Sequence, residues 1–73
     1  MTKSVQTKEY AYFVECLKKA RLEAGFTQGQ VAKKIKRPQS HISNIESGQQ
    51  RVDVVELKRF AKIYGKDISY FVK

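Results

Sequence analysis

The chain has no tryptophan, one cysteine, one histidine and one proline among its 73 residues. One Cys and one His cannot build a disulfide framework, and a single copy of the chain cannot supply a Cys/His zinc site. The lone thiol, Cys16, fits a reducing, intracellular setting. No apolar run approaches the roughly 20 residues of a transmembrane helix, and none serves as a signal-peptide core. Acidic residues are also scarce: 7 Asp and Glu stand against 15 Lys and Arg, a formal charge of +8. A surplus of that size in so short a chain points to a polyanion or an anionic membrane as partner. Chain length limits the rest. A domain this small buries only about 60% of the surface its unfolded chain exposes, which disfavours a deep catalytic cleft and favours work done on the surface.

What is present is helical periodicity with clear stops. Residues 1–7 are polar and aperiodic and read as a flexible arm; residues 8–73 read as one domain, without repeats or low-complexity runs. From Lys8 to Ala24, Phe13, Cys16, Leu17, Ala20 and Ala24 recur at three- and four-residue steps, the period of an amphipathic helix, and Gly25 follows where a left-handed residue ends one. Thr27 and Gln30 form a T-x-x-Q capping box that opens a second helix of about eight residues, with Val31, Ala32 and Ile35 inward. Pro38 suits the first turn of a third helix, reaching Ser47, that buries Ile42 and Ile45 before Gly48 stops it. Asp53 and Glu56 make a second capping-box-like start, and Val54, Leu57, Phe60, Ala61 and Tyr64 carry a fourth helix to Gly65. Asp67 can cap a last short helix, Ile68 to Val72, although the same residues would also suit an edge strand.

The second and third helices are short and closely spaced, the arrangement of a helix-turn-helix, whose second helix can lie in a major groove. With Ile42 and Ile45 inward, the outer face of the third helix collects Gln39, Ser40, Ser43, Asn44 and Ser47. These side chains both donate and accept hydrogen bonds, and Gln and Asn suit the N6/N7 edge of adenine. Lys33, Lys34, Lys36 and Arg37 come before this face and Arg51 after it, so that cations surround a polar reading surface. That is the division expected between phosphate anchoring and base readout.

The runs G-F-T-Q-G-Q-V-A-K-K-I from Gly25 and Q-S-H-I-S-N-I-E-S-G from Gln39 resemble the helix-turn-helix domain of the Cro/cI-like (XRE) family of transcriptional regulators. The resemblance spans about Phe13 to Val72 and rests on the joint spacing of Thr27-Gln28, Ala32, Ile42-Ser43, Glu46-Ser47-Gly48, Leu57, Ala61 and Gly65. It implies an all-α, compact five-helix, lambda-repressor-like DNA-binding domain containing the helix-turn-helix. Carried over by position, it implies that Gln28 holds a DNA phosphate and that Gln39, Ser40 and Asn44 reach base edges. Ser43 would sit at the groove wall. Gln49 and Arg51 would grip the backbone from the following loop, and Arg21 and Glu46 would form a structural ion pair. Lys36 stands where the family often has glycine at positive φ, at a cost of about 1 kcal/mol, and adds a cation beside the DNA. Arg37 replaces a usual apolar residue and is a further phosphate-contacting cation, and Pro38 replaces the usual Ser or Thr cap.

The remaining residues have blander readings. His41 reads as a solvated or phosphate-adjacent side chain. A Ser40/His41/Asp53 triad fails because neighbours on one helix point apart. Cys16, Phe13, Phe26, Phe60 and Tyr64 read as core, and Lys18, Lys19, Lys58, Arg59 and Lys62 as solvated helix faces. The expectation is therefore a non-enzymatic, sequence-specific regulator, most simply a repressor, which reads a palindromic operator in double-stranded DNA as a homodimer. No catalytic residue, metal or cofactor is implied, and the resemblance places the protein in the cytoplasm of a bacterium or a phage host, at the nucleoid. The alternative is an antitoxin or adaptor that neutralises a protein partner and binds DNA secondarily.

Overall fold

The computed structural model describes residues 7–72; the predicted arm, apart from Thr7, and Lys73 lie outside the described residues. Helix α1 spans Lys8–Ala24, α2 Gln28–Ile35, α3 Gln39–Glu46 and α4 Val54–Tyr64, and a single 3-10 turn, Ile68–Tyr70, follows. There is no strand among the described residues.

The helix ends are set by local chemistry. The Thr7 hydroxyl accepts from the Tyr10 amide at 3.0 Å and opens α1. Gly25, at φ +82°, closes it. At α2 both halves of the capping box form: Thr27 Oγ1 accepts from the Gln30 amide at 3.1 Å, and Gln30 Oε1 accepts from the Thr27 amide at 2.9 Å. Lys36 ends α2 at φ +60°, the only non-glycine residue at positive φ among those described. The strain is offset by closure of the turn, in which the Arg37 amide donates to the Ala32 carbonyl at 3.0 Å.

Two predicted boundaries and two predicted stripes need correction. The third helix excludes both Pro38 and Ser47, which serve as its caps; Pro38 offers no capping side chain. The last element is a 3-10 turn, not a helix to Val72. Asp67 instead accepts from the Ser69 amide at 3.0 Å and hydroxyl at 2.6 Å. This tight turn inserts Phe71, 2% exposed, into the core. On α4, Val54 is 63% exposed rather than inward, because the buried stripe begins at Leu57.

Leu17, Val31, Ile42, Ile45, Phe60 and Phe71 form the centre of the core. On α1 the buried stripe is Val14, Cys16, Leu17, Ala20 and Arg21, while Ala24 is exposed and Phe13 half-buried. The stripe therefore carries one cation. Helices α2 and α3 pack mainly on each other, and α1 supports both α3 and α4. The α2–α3 pair thus rests on a scaffold that leaves the opposite side of α3 open.

Candidate nucleic-acid interface

Below the α2–α3 pair lies a buried polar junction. Arg21 reaches from α1 to the last residue of α3, where its Nε donates to Glu46 Oε2 at 2.7 Å and a terminal nitrogen donates to Glu46 Oε1 at 3.0 Å. The other terminal nitrogen donates to the Phe26 carbonyl at 2.9 Å. The two side chains are 9% and 5% exposed. The hydrogen bond to Glu46 raises the Arg21 pKa further, against the effect of burial. Gln28, at the start of α2, donates from its amide nitrogen to Glu46 Oε1 at 3.1 Å. One carboxylate therefore orients the side chains of α1 and α2 together. The second N–H of Gln28 remains for an acceptor outside.

Tyr64 borders this junction from α4. Burial raises the pKa of its hydroxyl well above the ordinary value, the Glu46 carboxylate adds to the effect, and Arg21 opposes it. The unfolded chain ionises a tyrosine at about 10, so above that pH the unfolded state releases a proton that the folded state retains. Stability should then fall by up to about 1.4 kcal/mol per pH unit. Tyr64→Phe should remove that part of the alkaline loss. Unfolding free energies of the two proteins, compared from about pH 9 to about pH 11, check it: parallel curves would contradict the raised pKa.

On α3, Gln39, Ser40 and Ser43 are exposed and Asn44 is half-buried. Gln39 leans on α2. A Cβ built on Gly29 would lie 3.3 Å from Gln39 Oε1, so the absence of a side chain at Gly29 makes room for it. Lys36 is exposed and carries its charge at the turn. Arg37, with its side chain 56% exposed, stands 3.7 Å from Glu56. Gln49 and Arg51 follow in an exposed loop whose backbone is anchored at Asn44: the amides of Gln49 and Gln50 both donate to the Asn44 carbonyl, at 2.9 and 3.2 Å. Arg51 stacks over the Tyr10 ring at 4.5 Å, and the Tyr10 hydroxyl donates to the Gln50 carbonyl at 3.4 Å.

His41 is not solvated. Its side chain is 10% exposed, with Nε2 2.8 Å from Glu56 Oε1 and Nδ1 3.1 Å from the Gln50 amide nitrogen. Both ring nitrogens are occupied, so the Ser40/His41/Asp53 combination contains no available base; Asp53 itself caps α4, accepting from the Glu56 amide at 2.8 Å. Sequence reasoning missed Tyr10, Gln50 and Glu56. A signal was present, because His41 is four residues before Ile45 and adjoins Ile42, which puts it at the edge of the buried stripe. Among the described residues no group of three or more His, Cys, Asp or Glu side chains could hold a metal ion, and no helix is long and apolar enough to cross a membrane.

A short helix pair braced from beneath, with an exposed polar face on its second helix and cations on the flanking turn and loop, defines a DNA-binding module. The profile of the helix-turn-helix family matches residues 17–71. The chain belongs to that family, the Cro/cI-like (XRE) helix-turn-helix regulators, and is a DNA-binding transcriptional regulator of that type. The family is one of DNA-binding regulators and is not normally enzymatic. A comparison with curated proteins returns no match.

Proposed function

We propose that this protein is a cytoplasmic repressor that binds a palindromic operator as a homodimer, with α3 of each protomer in the major groove. The observation that carries the reading is the outward face of α3. Gln39, Ser40 and Ser43 stand exposed there, with no charged side chain between them, while Lys36, Arg37 and Arg51 flank the helix. Gln39, Ser40 and Asn44 read bases, Ser43 lies at the groove wall, and Gln28, Lys36, Arg37, Gln49 and Arg51 hold the backbone. One domain of this size covers too little groove to select a genomic site, and a second copy doubles the contacts. Val54 and Val55, 63% and 66% exposed at the start of α4, are apolar surface that a second copy could cover.

Selection from randomised duplex, combined with a size measurement of the complex, tests the proposal. Gln39→Ala or Asn44→Ala should cost about 1–3 kcal/mol on the selected site and leave binding to random duplex nearly unchanged. Arg51→Ala should weaken both about equally. If neither α3 substitution altered sequence preference, α3 would not be the reader, and an antitoxin or adaptor role would take precedence. Purification with a tightly bound protein partner would identify that role.

A further inference from the structure

Gly29 stands in the first turn of α2, one residue after Gln28. A glycine inside a helix costs stability relative to alanine, and it is useful where the backbone must turn left-handed or another group comes close. Gly29 is not one of the glycines at positive φ, which are Gly25, Gly48 and Gly65. Its own backbone therefore does not call for glycine. What comes close is the first residue of α3. A Cβ at Gly29 would lie 3.3 Å from Oε1 and 3.8 Å from Cδ of Gln39, where about 3.5–4.0 Å is the unstrained separation of non-bonded carbon atoms. The crowding does not depend on which end of the amide faces α2, because oxygen and nitrogen fill nearly the same space.

Gln39 leans on α2 for a local reason. Long side chains in a helix fold back over the turn that precedes them. Gln39 opens α3 and has no such turn, so its side chain crosses to the neighbouring helix. There it enters a notch of about 420 Å³ that Thr27, Gln30, Lys33 and Arg37 also line. Its amide has no hydrogen-bond partner among the described residues. The adjacent Gln28 is turned away to Glu46. The resting place of the amide is thus decided by shape, and the closest wall of that shape is the bare Cα of Gly29.

We infer that Gly29 is a positioning residue for base recognition: by leaving the notch open it sets the rotamer of Gln39, and through it the base that Gln39 prefers. The inference rests on the reading of α3 as the base reader. Base-edge recognition by an amide is directional, so a shift of the side chain alters preference at one base pair while the phosphate contacts stay in place.

Gly29→Ala tests it, since the substitution suits a helix and should leave the thermal midpoint equal or higher. In selection from randomised duplex, the advantage of the preferred base at the pair met by Gln39 should fall about tenfold. The other pairs should change by less than about twofold. In a Gln39→Ala background the same substitution should change nothing further, because no long side chain remains to be displaced. An unaltered site preference in Gly29→Ala, or an equal effect with and without Gln39, would overturn the inference. A lower midpoint would do so too, by making Gly29 a packing residue. In the free protein, NMR couplings that report χ1 of Gln39 should differ between the parent and Gly29→Ala; identical couplings would contradict the positioning itself. If Gln39→Ala left sequence preference intact, the reading of Gln39 would fail and the link to specificity with it. The couplings would then still decide whether Gly29 positions that side chain.

Discussion

Arg21→Ala should cost about 3–5 kcal/mol of folding stability, because it leaves a buried carboxylate without its cation. Glu46 would retain only the Gln28 amide at 3.1 Å, and the Phe26 carbonyl would lose its donor. Global stability for a domain of this length is about 0.05–0.15 kcal/mol per residue, so the loss is a large fraction of the whole. A decrease of about 4–8 °C in midpoint per kcal/mol makes thermal unfolding a sensitive readout. Glu46→Ala should cost less, since the stranded guanidinium keeps the Phe26 carbonyl at 2.9 Å. The double variant should lose less than the sum of the two single losses, as a removed pair leaves no lone charge. Additive losses would show that the pair contributes little beyond the packing of its aliphatic stems.

If Gln28 and α3 contact DNA as proposed, the junction should also link folding to DNA binding. Glu46 accepts from the Gln28 side chain, and it is the last residue of α3. Loss of the carboxylate frees both the Gln28 amide at the start of α2 and the end of α3. Glu46→Ala should therefore reduce DNA affinity even at temperatures where the domain stays folded. That separates it from a core substitution of equal cost.

Features written in adjacent residues were legible in the sequence. Thr27 with Gln30, Asp53 with Glu56, and the glycines at 25 and 65 mark helix ends through contacts no more than a turn away, and the structure forms each of these caps. Buried positions depending on packing were less so. The α1 stripe includes Arg21 in place of Ala24 because Glu46, 25 residues further on, neutralises it. No local pattern announces that partner, and only the family resemblance suggested it. Glu56 misled for a related reason. At the third position after Asp53 it resembles the second half of a capping box, and its amide does bind Asp53. Its carboxylate instead faces His41 and Arg37, both outside α4. The outward face of α3 was legible because its inward residues, Ile42 and Ile45, left little choice.

Affinity for duplex DNA should fall steeply with salt, and the slope should report how many protomers bind. Lys36, Arg37 and Arg51 are all exposed, and each can displace condensed counterions at one phosphate. Arg37 is held only loosely by Glu56 at 3.7 Å, a contact that a phosphate can replace. Arg51 already packs over the Tyr10 ring, 4.5 Å from its centroid, which limits the ordering that a phosphate contact would require. Three contacts from each of two protomers give a slope of log K against log salt near −5, so raising salt from about 50 to about 200 mM should weaken binding about a thousandfold. A single protomer would give a slope near −2.7. Arg51→Ala sharpens the distinction, since it removes one contact per protomer. The slope should become shallower by about 1.8 for a dimer and by about 0.9 for a monomer. A parent slope shallower than about −2 would mean that these cations do not face phosphates. In that case the basic turn and loop would be solvated surface, and the anchoring role of Lys36, Arg37 and Arg51 would fail, leaving the base-reading role of α3 to be judged on its own substitutions.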